Sequence, residues 1–274
     1  MSTLPTQTQT HTHTGTPTDT HTGTHTGTPT DTHTGTHTDT PTDTRTHPHK
    51  RRYGLVVLDM AGTTVADGGL VEQAFTAAAE RLGEDPATMI DYVRATMGES
   101  KISVFRHLFG GDETRAQEAN LAFEAAYGEL VSGGRIAPIP GAAEAIAELR
   151  AQGRRVVLTT GFARVTQDAI LDALGWRDLV ELTLCPADAG GRGRPYPDMV
   201  LAALLRTGAV DDVRQLVVAG DTSYDMLSGV RSGAGIVAGV LTGAHDEAAL
   251  TEHGATHVLP SVAGLPALLG ESDA

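Results

Sequence analysis

Lysine is nearly missing from this chain: of its 20 basic residues, 18 are arginine and 2 are lysine, Lys50 and Lys101. Cysteine occurs once, at Cys185. A lone thiol closes no internal disulfide, so the fold is expected to stand on its core in a reducing, cytoplasmic setting. Aromatic residues make up 4% of the sequence, which leaves aliphatic side chains to fill that core. No apolar run reaches the length of a helical membrane span, and the first residues hold no apolar stretch of the secretory kind. A basic stripe is also lacking. The formal net charge is −14, which argues against nucleic acid and anionic lipid as partners. An anionic small molecule stays open, because a metal and a few placed cations reverse a local field.

What is present divides unevenly. Residues 1–52 are Thr, His, Gly, Pro and Asp in short repeats and hold 8 of the 12 histidines. Their four Asp and four basic residues cancel, so the whole negative charge sits on residues 53–274. Such a tract buries too little apolar surface to repay its ordering entropy and is expected to be a disordered tail. Weak metal binding by its histidines is the other reading.

From Tyr53 onward, short aliphatic runs alternate with amphipathic segments. Gly54–Asp59, Arg155–Thr160, Val180–Leu184, Gln215–Gly220, Ile236–Val240 and His257–Leu259 read as strands. Segments 141–152, 164–174, 197–207, 223–232, 246–253 and 262–269 read as helices. Apolar runs without alternation, spaced by helices, predict a parallel sheet covered on both faces. Between the first strand and residue 141 the pattern is helical only: 70–82, 86–97, 100–109 and 112–132, punctuated by glycines. The expected fold is therefore α/β, a Rossmann-like parallel sheet (residues 53–67 and 138–274) with an all-helical cap (68–137) inserted after the first strand. Sites in such sheets form at the carboxyl ends of the strands.

The strand ends carry the chemistry. The first gives Asp59-Met60-Ala61-Gly62-Thr63-Thr64, the second Thr159-Thr160-Gly161, and the fourth Gly220-Asp221-Thr222-Ser223-Tyr224-Asp225. A Gly-rich basic loop, Gly190 to Pro197 with Arg192 and Arg194, follows the third. Carboxylates gathered at one sheet edge repel one another, and a hard divalent cation, Mg²⁺, resolves that repulsion. Hydroxyls, backbone N–H groups and an Arg suit a tetrahedral oxyanion such as phosphate. Taken singly, each piece has a plainer reading: an Asp after a strand is often a helix N-cap. Together, in this order, the pieces support one another.

This order of motifs resembles the haloacid dehalogenase superfamily of aspartyl-nucleophile phosphotransferases, over essentially all of 53–274. The resemblance implies that Asp59 is the nucleophile and a Mg²⁺ ligand, and that Ala61 lends its carbonyl to the metal. It also implies that Thr159, with Thr160 beside it, binds the phosphoryl group, that Arg194 balances its charge, and that Asp221 and Asp225 complete the metal site. Gly62, Thr63, Met97 and Gly161 join the expected substrate-contacting set. Two departures narrow the match. Ala61 stands where a second Asp, the general acid, is usual, and Arg194 stands where Lys is usual. Both look like the phosphonoacetaldehyde hydrolase branch, whose first motif reads Asp-x-Ala-Gly-Thr. That branch also uses a cap lysine that forms a Schiff base, in a Met-Gly-x-x-Lys motif; here Met97-Gly98-Glu99-Ser100-Lys101 matches.

The residues themselves favour that direction. Lys101 is the single lysine after residue 50. Arg cannot deprotonate to act as a nucleophile, whereas a Lys of lowered pKa can. An alkoxide leaving group benefits from a nearby acid, which Ala61 cannot supply; a carbon leaving group needs an electron sink, which an iminium provides. The expected reaction is hydrolysis of a 2-oxoalkylphosphonate. A phosphate monoesterase of phosphoglycolate-phosphatase type and a non-catalytic phosphate- or metal-binding module are the alternatives. Two positions differ from the phosphonatase pattern: Val104 replaces a cap His three residues after the lysine, with His107 one turn further on, and Gly69 replaces a Cys. A homodimer through the cap, using the amphipathic segment 70–82, is a further expectation.

Overall fold

The computed structural model describes residues 52–273; the Thr/His-rich tail, expected to be disordered, lies outside them. The chain begins with β1 (Leu55–Asp59) and the short β2 (Val65–Ala66). Four helices follow: α1 (Leu70–Arg81), α2 (Ile90–Ala95), α3 (Lys101–Leu108) and α4 (Glu113–Ser132). Next come β3 (Ala137–Pro138), α5 (Ala142–Ala151), β4 (Arg155–Thr159), α6 (Arg164–Leu174), β5 (Leu182–Leu184) and α7 (Asp198–Thr207). The chain closes with β6 (Leu216–Gly220), α8 (Ser223–Ser232), β7 (Ile236–Val240), α9 (Glu247–Glu252), β8 (His257–Leu259) and α10 (Leu265–Asp273).

Six strands make one parallel sheet in the order β5-β4-β1-β6-β7-β8. β1 lies inside it, with Asp59 in register with Thr159 of β4 and Leu58 with Ala219 of β6. Successive residues of a strand point to opposite faces, and the core divides accordingly. Val56, Leu58, Val156, Leu158, Val217 and Ala219 pack on one side, and Leu55, Val57, Val157, Leu216 and Val218 on the other. This is why the strands read as unbroken apolar runs. Leu158 is fully buried, and Leu158→Ala would cost about 2–5 kcal/mol in transfer and cavity terms.

Two features differ from the sequence expectation. The segment 86–97 is a 3-10 turn at Pro86–Thr88, opened by Pro86 at its first position and capped by Asp85, followed after Met89 by the short α2. β2 and β3, two residues each, form an antiparallel ribbon that ties together the two chain crossings flanking α1–α4. Pairs this short leave no periodic signal to read. The apolar face of α1 (Leu70, Val71, Ala74, Phe75, Ala78) is buried within the chain, where Phe75 packs on Phe105 of α3 and Phe123 of α4. The amphipathic signal assigned to dimerisation is thus accounted for inside one chain. Among the described residues no helix is long and apolar enough to cross a membrane.

Candidate active site

The loop after β1 folds tightly around one carbonyl: the N–H groups of Thr63, Thr64 and Val65 all donate to Met60 O. Gly62 takes φ +86°, and a Cβ there would lie 2.3 Å from Asp221 Oδ2, so only glycine permits this approach. The turn brings Thr63 Oγ1 within 2.9 Å of Asp221 Oδ1, to which it donates. Ala244 N, in the loop after β7, donates to Asp221 Oδ2 at 2.9 Å. Thr222 caps α8, and its backbone N–H donates to Asp225 Oδ2 in a reciprocal capping box. The other oxygen of the Asp225 side chain meets Arg194 Nε at 3.0 Å. Arg194 also donates to Asp59 Oδ1. Arg192, two residues away, pairs with Asp198 at the surface instead.

Asp59, Asp221 and Asp225 are 5%, 2% and 2% exposed, and one oxygen from each lies within 4.8 Å of the others. Burial raises Asp59 well above the ordinary carboxylate value; Arg194 opposes this, and Asp225 and Asp221 add to it. Burial and then the charge of Asp225 push Asp221 up to about 7. Three carboxylates against one buried guanidinium leave the ionised cluster two negative charges in excess (−3 + 1). A hard divalent ion held by oxygen ligands matches that excess, so these side chains fit Mg²⁺.

A cavity of about 300 Å³ opens onto this cluster. Asp59, Ala61, Gly62, Thr160, Gly161 and Arg194 line it from the sheet side, and Met97, Gly98 and Lys101 from the segment between β2 and β3. Lys101, the first residue of α3, is 6% exposed. Its Nζ stands 5.5 Å from the Phe162 ring centroid and 5.9 Å from that of Phe75, and it donates to Glu99 O at 3.4 Å. Burial lowers its pKa to about 8, with the charge of Asp67 the largest opposing influence.

Insertion and sheet loops meet through glycines. A Cβ on Gly98 would sit 2.3 Å from Thr222 Oγ1, one on Gly193 2.6 Å from Ser100 Cβ, and one on Gly161 3.1 Å from Glu99 O.

The sequence profile of the haloacid dehalogenase-like hydrolases matches residues 53–233. The chain belongs to that family. A phosphonoacetaldehyde hydrolase of Bacteroides fragilis is 32% identical over 230 residues, covering 75% of this chain and 82% of its own. A probable phosphatase IndB of Dickeya dadantii is 29% identical over 196 residues, covering 70% and 82%. The crystal structure of a phosphonoacetaldehyde hydrolase-like protein from Oleispira antarctica superposes with a TM-score of 0.70 at 24% identity, covering 82% of this chain and 94% of its own.

In this haloacid dehalogenase-like hydrolase the expected residues are largely gathered in one place. Thr159 is not among them: its Oγ1 donates to Leu58 O at 3.3 Å, and it is Thr160 that lines the cavity. Alternation along β4 turns one of two adjacent threonines away, and the sequence could not say which. Thr63 stays with Asp221 and does not line the cavity. His107 is exposed and stacks on Tyr92, with centroids 4.1 Å apart, away from the cavity. Cys185 is buried, and its Sγ–H donates to Asp188.

Sequence reasoning missed Asp67 and the Thr242-Gly243-Ala244 loop, which also line the cavity. The loop follows a strand of the same parallel sheet, so the strand-end rule applied to β7 would have found it. Asp67 precedes Gly68-Gly69, which reads as an ordinary turn.

Proposed function

We propose that this hydrolase cleaves the carbon–phosphorus bond of a 2-oxoalkylphosphonate, phosphonoacetaldehyde or a relative, with α1–α4 serving as a cap. The observation that carries the reading is Lys101, the single lysine among the described residues, buried in the same cavity as Asp59, Arg194 and Asp221. The match to a named phosphonoacetaldehyde hydrolase supports it.

Burial lowers the Lys101 pKa, so a larger fraction is the neutral amine that a carbonyl requires. Amine and carbonyl condense with loss of water and uptake of one proton to an iminium. Asp59 then attacks phosphorus. The C–P bond breaks, its electron pair enters the iminium to give an enamine, and the phosphoryl group rests on Asp59. Water hydrolyses the aspartyl phosphate. Protonation of the enamine carbon and hydrolysis of the imine free the carbonyl product and Lys101. Arg194 and the Thr160 hydroxyl meet the charge on the phosphoryl oxygens. Asp59, Asp221, Asp225 and the Ala61 carbonyl would hold Mg²⁺, which when bound offsets the negative charge of the carboxylates and the phosphoryl group.

The test is borohydride treatment during turnover of phosphonoacetaldehyde with Mg²⁺. A reduced adduct on the peptide containing Lys101 is expected; phosphate release without any adduct would refute the reading. The phosphatase alternative, favoured by the likeness to IndB, is separated by Lys101→Met, which a phosphomonoesterase would survive with most of its rate.

A further inference from the structure

If Lys101 forms an imine, its ammonium must first lose a proton, and the hydroxyl of the carbinolamine must later gain one. The two histidine positions considered in the sequence do not serve it: Val104 has no titratable group, and His107 stands outside the cavity. The titratable groups that line the cavity are few. Asp59, Asp221 and Arg194 are bound to one another or to loop donors at the phosphoryl end. Glu72 is held by Arg94 through Nε at 3.0 Å and Nη2 at 2.8 Å, and that bidentate pairing lowers its pKa, which makes it a weak base. Glu99 receives Lys101 only through its backbone carbonyl, and its side chain does not line the cavity. Tyr127 has a buried hydroxyl with no hydrogen-bond partner, but burial and the charges of Asp67 and Asp59 keep its proton on.

That leaves Asp67. Its oxygens accept from Gly69 N at 3.1 Å and Val71 N at 3.2 Å, which fixes the carboxylate at the start of α1 and the edge of the cavity. Among the described residues Lys101 makes no direct ion pair, but Asp67 and Lys101 line the same cavity and each feels the charge of the other; a proton passing between them by way of a water or the bound carbinolamine is ordinary general acid–base catalysis. Burial raises its pKa, which suits a group that must both take and return a proton.

We infer that Asp67 is the proton-transfer residue for Lys101, standing in for the absent cap histidine; the inference rests on the imine reading above. Asp67 takes a proton from the ammonium. The amine adds to the carbonyl carbon, the C–N bond forms, the π pair moves to oxygen, and one proton shifts from nitrogen to that oxygen. Asp67 returns its proton to the hydroxyl, the C–O bond breaks, and water leaves behind the iminium. Ammonium and carbonyl have become iminium and water, and the carboxylate is regenerated.

The experiment measures the rate of borohydride trapping of phosphonoacetaldehyde on Lys101, by peptide mass, in the full-length protein. Asp67→Asn keeps an oxygen for the backbone donors and loses the charge; trapping is expected to slow about 10²-fold or more. Asp67→Glu is expected to trap within about tenfold of wild type, the mark of a carboxylate effect rather than a structural one. His107→Gln is expected to trap like wild type. Trapping by Asp67→Asn at the wild-type rate would overturn the inference and leave the imine reading intact. So would Asp67→Glu trapping as slowly as Asn, and Asp67→Glu decides the matter if Asp67→Asn does not fold. No adduct in the wild type itself would instead sink the imine reading on which all of this stands.

Discussion

The two ends of the cavity are built by opposite means. At the sheet end, charge is concentrated: Asp59 ends β1, Asp221 follows β6, Asp225 lies in the first turn of α8 and Arg194 in the loop after β5, each side chain fixed by at least one partner. At the insertion end, charge is starved: one amine lies between two aromatic rings, with a single long hydrogen bond to a carbonyl. Burial pushes Asp59 and Asp221 up and the amine down, toward the neutral form in both cases. The difference teaches that one physical lever serves two ends of one reaction. It leaves the carboxylate cluster matched to a divalent cation and, on the proposed reading, fits the lysine to act as a nucleophile.

The comparison can be broken first at the sheet end. Asp59→Asn removes the attacking oxygen and should abolish phosphate release from phosphonoacetaldehyde and phosphate esters alike, by up to about 10⁶-fold as for other single nucleophiles. Breaking the insertion end should be selective. Lys101→Met should cost about 10³- to 10⁴-fold on phosphonoacetaldehyde, the scale of losing one essential reacting group. It should leave thermal stability equal or higher, since a buried amine gives way to an apolar chain of similar length.

The same contrast is readable in pH. Asp221 holds its proton up to about 7 in the folded chain, against an ordinary 3.8. A raised acid pKa means that the folded state keeps a proton the unfolded chain has lost, so metal-free stability should fall as pH rises from about 4 to about 7. Added Mg²⁺ at 100 times its dissociation constant should return about 2.7 kcal/mol at pH 7.5, seen as a melting shift of about 5–10 °C. In the other direction, the rate of borohydride trapping on Lys101 should climb with pH and level off above about 8, where the amine is neutral. Between the two ends, Gly98→Ala should cost about 10²-fold in turnover, since a displacement near 1 Å is enough for that.

Much of this was legible beforehand because it lies in runs and spacings. The strands showed as apolar stretches, and Asp59, Arg194 and Asp221 follow strand ends in order. What escaped depends on direction rather than position. Thr159 and Thr160 are neighbours of one type, and only the pleat decides which hydroxyl faces the cavity. Asp67 looks like the opening of a turn, and it is one; its second surface exists only once α3 is folded against it. The β2–β3 ribbon is a pairing across seventy residues by two residues a side, below any periodicity.

The glycines at Gly98, Gly161 and Gly193 act together as a keyway. The missing side chains leave room for the Thr222 side chain at Gly98, the Ser100 side chain at Gly193 and the Glu99 backbone at Gly161. A methyl on Gly98 or Gly193 would overlap its neighbour and stand in the joint like a doorstop, and one on Gly161 would press on a carbonyl.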